Sequence, residues 1–79
     1  MPKLVLYYRP SCGYCQKVLR FAEQKKINLP LKDIGNPASN RNELIKIGGI
    51  GQVPCLVIDG QALYESDDII YWLEKNFKL

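Results

Sequence analysis

The sequence predicts an α/β domain of order β-α-β-α-β-β-α, a four-stranded mixed sheet covered by three helices. Three observations carry this expectation. The apolar, β-favouring run "KLVLYY" gives way at once to residues that recur at helical spacing. Asp59-Gly60 divides two short apolar stretches, a strong hairpin signal. An acidic turn then opens a last helical pattern.

Taken in order, Lys3 to Tyr8 lacks polar alternation, as expected of a strand covered on both faces. From Tyr14 the period changes. Cys15, Val18, Leu19 and Ala22 fall on one side and Lys17, Arg20 and Gln24 on the other, so Gly13 to about Lys26 reads as an amphipathic helix. "INLPLKDI" (27–34) is a poorer strand, and Pro30 assigns it to a sheet edge, where a missing amide is tolerated. In "NPASNRNELIKIGG", turn residues are followed by Leu44, Ile45 and Ile47 and a Gly48-Gly49 stop, the pattern of a short helix. "PCLVIDGQALY" supplies the two hairpin strands. Ser66, Asp67 and Asp68 precede Ile69, Ile70, Leu73 and Phe77, which predicts a helix capped by Ser66 and started by acids. The first strand, helix and second strand should form a right-handed parallel unit, with the hairpin added antiparallel beside the first strand.

Composition limits the function. With 79 residues the chain is expected to be one domain, 1–79, of a size that buries only roughly 60–65% of its unfolded surface. Its 47% hydrophobic and 24% charged residues exclude a disordered chain. A net charge of +3 with no basic run longer than Lys25-Lys26 argues against a nucleic-acid or membrane-surface partner. No apolar run approaches the ~20 residues of a membrane span, and the N-terminus has no signal-peptide core. A cytoplasmic, reducing compartment is expected. There a close cysteine pair points to catalysis or metal binding rather than to a static crosslink.

The pair in question is Cys12 and Cys15 of "YYRPSCGYCQK", at the start of the first helix. Thiol exchange needs a thiolate, and a cysteine at a helix N-terminus can fall from about 8.5 to about 3.5–7.5. Cys12 sits at that start and is the expected nucleophile; Cys15, one turn further on the core side, is the expected resolving thiol. A closed zinc site needs four N or S ligands, and the chain has three cysteines and no histidine, so no metal is expected at the pair. Cys55, flanked by Leu56, Val57 and Ile58, reads as a core residue.

The strand-CxxC-helix opening, "QVP" before the third strand and "ESDD" at the last helix together resemble a glutaredoxin of the thioredoxin fold, over nearly the whole chain. The resemblance implies a cis Val53-Pro54 bond facing the CxxC motif, with the Val53 backbone pairing the cysteinyl part of glutathione as an added strand. It implies that Ser66 and Asp67, with Glu65 beside them, hold the zwitterionic γ-glutamyl end. Arg9 aligns with a lysine or arginine of that family and is assigned to the glycine carboxylate, with Arg41 near the same edge. Two positions depart from glutaredoxins: Gln52 replaces a usual threonine, and Glu65-Ser66 replaces a Gly-Gly turn. Both are similar to the N-terminal domains of glutathione transferases.

Blander readings stand beside these. "ESDD" caps and charges a helix start, the two arginines are solvated surface charges, and Tyr14 is either a cover for the active-site edge or an exposed aromatic. Gly13-Tyr14 also departs from the Pro-Tyr of dithiol glutaredoxins. Glycine there accompanies family members that bridge a two-iron two-sulfur cluster between two subunits, with glutathione as extra ligand and Cys12 as the protein ligand. The resemblance thus implies a glutathione-dependent thiol-disulfide oxidoreductase, monomeric and without an organic cofactor, acting on disulfide-bonded or glutathionylated proteins. The alternative is a cluster carrier, dimeric when the cluster is bound. A transferase fragment is a third reading, disfavoured by the absence of an all-helical domain before the end at Leu79.

Overall fold

Alternation along β1 (Leu4–Tyr8) decides which residues meet on each side of the sheet in the computed structural model, which describes residues 2–77. Met1, Lys78 and Leu79 of the expected 1–79 domain lie outside the described residues. Leu4 and Leu6 enter one apolar cluster and Tyr7 the other. In β3 (Cys55–Ile58), Leu56 joins the first cluster, and Cys55 and Val57 join the second. Antiparallel pairing sets Leu6 opposite Leu56 and Tyr7 opposite Cys55, so each face receives matching side chains from both strands. β2 (Leu31–Asp33) runs parallel to β1, and β4 (Gln61–Tyr64) runs antiparallel to β3, giving the order β2-β1-β3-β4. This is the predicted thioredoxin-like sheet.

Helices α1 (Gly13–Gln24) and α3 (Ser66–Asn76) cover the first face, where Val18 and Ala22 of α1 and Ile69 and Leu73 of α3 close over Leu4, Leu6 and Leu56. A fully buried aliphatic side chain contributes about 1.5–3 kcal/mol, so this layer is the main source of stability. α2 (Ser39–Gly48) covers the other face through Leu44, which packs with Tyr7, Ile34, Cys55 and Val57. The Tyr7 hydroxyl donates to Glu43, whose carboxylate also takes the Lys32 ammonium. The polar tip of a buried ring is thereby satisfied.

Three boundaries differ from the expectation. The second strand pairs only over Leu31–Asp33, because Pro30 has no amide to offer; its carbonyl accepts from the Leu6 N–H at 2.9 Å as the ladder begins. α1 ends at Gln24 rather than near Lys26. Lys26 turns left-handed at φ 57°, and the Ile27 N–H bonds the Ala22 carbonyl at 2.8 Å, a Schellman-type close. The third concerns Ser66, which is the first helical residue and not the cap. A one-residue junction between β4 and α3 forces Glu65 to φ 74°, and Glu65 holds the cap position without a side-chain capping bond, leaving Ser66 buried. At the hairpin, Asp59 (φ 49°) and Gly60 (φ 83°) are both left-handed, as a two-residue turn of matching twist requires. Val53–Pro54 is cis, as expected, and so is Asn36–Pro37, for which there was no signal.

Candidate active site

Cys12 is itself the N-cap of α1. Its backbone is extended (φ −87°, ψ 121°), and its sulfur accepts the Cys15 N–H at 3.3 Å, in the place usually taken by a serine or aspartate oxygen. A sulfur so placed sits on the unpaired amides and the positive end of the helix. Burial pushes the Cys12 pKa up. Hydrogen bonds from the Cys15 thiol and from the Cys15 and Tyr14 amides, together with the Arg9 charge, outweigh this and hold it below the ordinary thiol range. Cys15 is fully buried, and its pKa is pushed up to about 12, by burial first and then by its hydrogen bond to Cys12. Two cysteines three residues apart are thus pushed in opposite directions: the outer toward its thiolate, the inner toward its protonated thiol. Both are free thiols.

Beyond the pair, the Cys12 thiol faces the Val53 carbonyl at 3.9 Å, next to the cis bond. Among the described residues the Val53 N–H makes no backbone hydrogen bond, so an extended ligand has an open backbone to pair with. Val53 lies on the ridge between two depressions. Tyr14, Gln52, Pro54, Glu65, Ser66, Asp67 and Asp68 line the first; Arg9, Ile34, Arg41 and Gly51 line the second. Every residue singled out for glutathione in the sequence borders one depression or the other. One is acidic and the other cationic.

Local details explain the placements. Arg41 lies across the Gly51 backbone, where a Cβ would sit 3.1 Å from Arg41 Nε. The Gln52 amide points to a Glu65 carboxylate oxygen at 3.4 Å. A Cβ on Gly13 would meet nothing beyond its chain neighbours within 4 Å, and Tyr14 stands 68% exposed at the edge of the acidic depression. Cys55 is fully buried, and burial pushes its thiol up to about 11, consistent with a core role. Among the described residues no group of His, Cys, Asp and Glu is arranged to hold a metal ion.

Four residues at the site escaped sequence reasoning: Lys17, Ile34, Gly51 and Asp68. Asp68 was legible as the last acid of "ESDD". Lys17 carried no signal beyond its place on the polar side of α1, yet its Nζ pairs with Asp67 Oδ1 at 2.5 Å.

The sequence model of the glutathione S-transferase N-terminal domain matches residues 6–79. The chain belongs to that family. It is also 29% identical over 69 residues to glutaredoxin 3 of Escherichia coli, across 87% of this chain and 83% of that one. Glutathione transferase Omega 3C from Trametes versicolor superposes with a TM-score of 0.82 at 32% identity, over 95% of this chain and 34% of its own. A thioredoxin-like protein superposes with a TM-score of 0.81 at 26% identity, over 99% of this chain and 100% of its own. The chain spans about a third of the length of the transferase that it matches. This transferase N-terminal domain therefore has glutaredoxin and thioredoxin-like relatives of its own size, in keeping with a sequence that joins a CxxC pair to a Glu-Ser motif.

Proposed function

We propose that this protein is a glutathione-dependent thiol-disulfide oxidoreductase that reduces glutathionylated and disulfide-bonded proteins through Cys12. The observation that carries the reading is the place of the Cys12 sulfur: on a helix N-terminus and against the backbone of Val53, the residue that borders both an acidic and a cationic depression. Glutathione has the matching shape, an extended tripeptide with a central thiol, a γ-glutamyl ammonium at one end and a glycine carboxylate at the other. Val53 pairs its cysteinyl backbone, Asp67 and the α3 amides hold the γ-glutamyl end with Glu65 and Gln52 alongside, and Arg9 with Arg41 holds the glycine carboxylate. The glutaredoxin and transferase relatives support the same ligand class.

In the first step the Cys12 thiolate attacks the glutathione sulfur of a mixed disulfide. The Cys12–glutathione bond forms as the old S–S bond breaks, and the protein thiolate leaves and takes a proton. A second glutathione thiolate then attacks that sulfur, releasing oxidised glutathione and restoring the Cys12 thiolate. On a protein disulfide, Cys15 loses its proton and resolves the mixed disulfide to a Cys12–Cys15 bond, which two glutathiones reduce. The high pKa of Cys15 keeps it out of the first route. The chemistry draws on a glutathione pool such as that of the cytoplasm and needs only a monomer. Among the described residues no helix is long and apolar enough to cross a membrane.

Turnover of a small mixed disulfide, coupled to glutathione reductase, tests the reading. Cys12→Ser abolishes reduction and Cys15→Ser retains much of it; equal loss in both variants would replace this step with a dithiol mechanism. Glycine in place of proline after Cys12 supports a second reading, a two-iron two-sulfur cluster shared between two copies with Cys12 as the ligand from each. Brown colour and visible absorption after anaerobic purification distinguish it.

A further inference from the structure

Asp67 is the carboxylate assigned above to the γ-glutamyl ammonium, and it is already engaged. Lys17, on the second turn of α1, reaches across to the start of α3 and pairs with Asp67 Oδ1 at 2.5 Å. The Lys17 and Asp67 side chains are 52% and 82% exposed, so the lysine can leave for solvent without opening the core. Glu65 and Asp68 border the same depression. We infer that Lys17 sets the affinity of this depression for a ligand ammonium: its own ammonium occupies Asp67 until a ligand ammonium displaces it.

The inference rests on the glutathione reading above and extends it to what limits affinity at the γ-glutamyl end. Binding becomes an exchange of one cation for another on the same carboxylate. A free γ-glutamyl amine can make the exchange. An N-acylated one cannot, because it offers no charge to replace the one it displaces. Lys17 thereby lowers affinity for glutathione and leaves that of uncharged competitors unchanged, since these keep the Lys17–Asp67 pair in place; it narrows the margin between the two.

The test is steady-state reduction of a small mixed disulfide with either glutathione or N-acetylglutathione varied, at fixed ionic strength. For an exposed pair the expected change is modest: Lys17→Gln lowers KM for glutathione about threefold with kcat unchanged. Lys17→Arg keeps the wild-type values, because it keeps the competing charge. With N-acetylglutathione, Lys17→Gln brings no gain. In an Asp67→Asn background the Lys17 substitution has no effect on either ligand, because its action runs through Asp67; a merely stabilising bridge between α1 and α3 would instead lower the unfolding midpoint in Lys17→Gln without lowering KM. A KM for glutathione that rises or stays unchanged in Lys17→Gln overturns the inference, as does an equal gain with both ligands or a gain that survives in the Asp67→Asn background. If the wild type itself shows no glutathione-dependent turnover, the glutathione reading falls and the inference falls with it.

Discussion

Cys12 and Cys15 show how one residue type takes opposite chemistry from position alone. Cys12 collects helix-terminal amides and a nearby guanidinium; Cys15 collects burial and gives its proton to a hydrogen bond. A lowered native pKa means that the Cys12 thiolate persists to lower pH than a free cysteine, which titrates near ~8.5. Iodoacetamide alkylation of Cys12 should therefore stay fast below the free-thiol range, with its inflection moved upward in Arg9→Ala as the favourable charge is removed. An inflection at the free-thiol value in the wild type would show that the helix terminus does not activate the sulfur. The proposed nucleophile was legible from its place in the sequence because the groups that lower its pKa are local: they belong to Arg9, three residues before it, and to the residues immediately after it. The full burial of Cys15 needed the sheet and α3.

At the scale of elements, α2 is the least anchored helix, with Leu44 as its buried residue, and it carries Arg41 to the cationic depression. Gly48 sets how closely it approaches β4. A Cβ there would lie 2.0 Å from the Tyr64 hydroxyl oxygen and 2.9 Å from Ala62 Cβ, and the Tyr64 hydroxyl donates to the Ile50 carbonyl at 2.9 Å. Helix propensity alone favours alanine over glycine by about 1 kcal/mol. The clash opposes this, and displacing a ring packed on a strand costs about 1–3 kcal/mol, so Gly48→Ala should destabilise the protein. Thermal or urea unfolding of the variant decides between the two, and a raised midpoint would mean that Tyr64 moves aside freely. From sequence, Gly48 and Gly49 together read as a stop. Only Gly49, left-handed at φ 90°, serves as one; Gly48 is a helical residue kept small by a strand from another part of the chain.

Across the whole molecule, the candidate site is a line drawn over three elements and two loops, from Arg9 and Arg41 past Cys12 and Val53 to the start of α3. Arg9 and Asp67 stand on opposite sides of Val53 and share no partner. Removing either should raise the glutathione requirement, Arg9→Ala by roughly fivefold, about 1 kcal/mol after allowance for solvent. Asp67→Ala should cost less, since it also ends the competition from Lys17. The two effects should add within about 0.5 kcal/mol in the double variant, measured as glutathione dependence at constant ionic strength. If neither single variant changes that dependence, the groove from Arg9 to α3 is not the ligand track.

The sequence by itself determined the order of elements, the sheet topology, the hairpin turn and the helix that starts at Cys12. Each follows from periodicity or turn chemistry within a few residues, and local stereochemistry allows few alternatives. Pro30 marked an edge strand but not how short its ladder would be, because ladder length depends on the partner strand as well. Ser66 looked like a cap because its residue type favours that role; the tight exit from β4 gave the position to Glu65 at a positive φ. Only the tertiary structure placed Lys17 on Asp67, Arg41 over Gly51, and Val53 between two depressions of opposite charge. These contacts join residues as far apart as Lys17 and Asp67. Their geometry is set by how α1, α3 and the Val53–Pro54 loop pack on a common sheet, which no local pattern encodes.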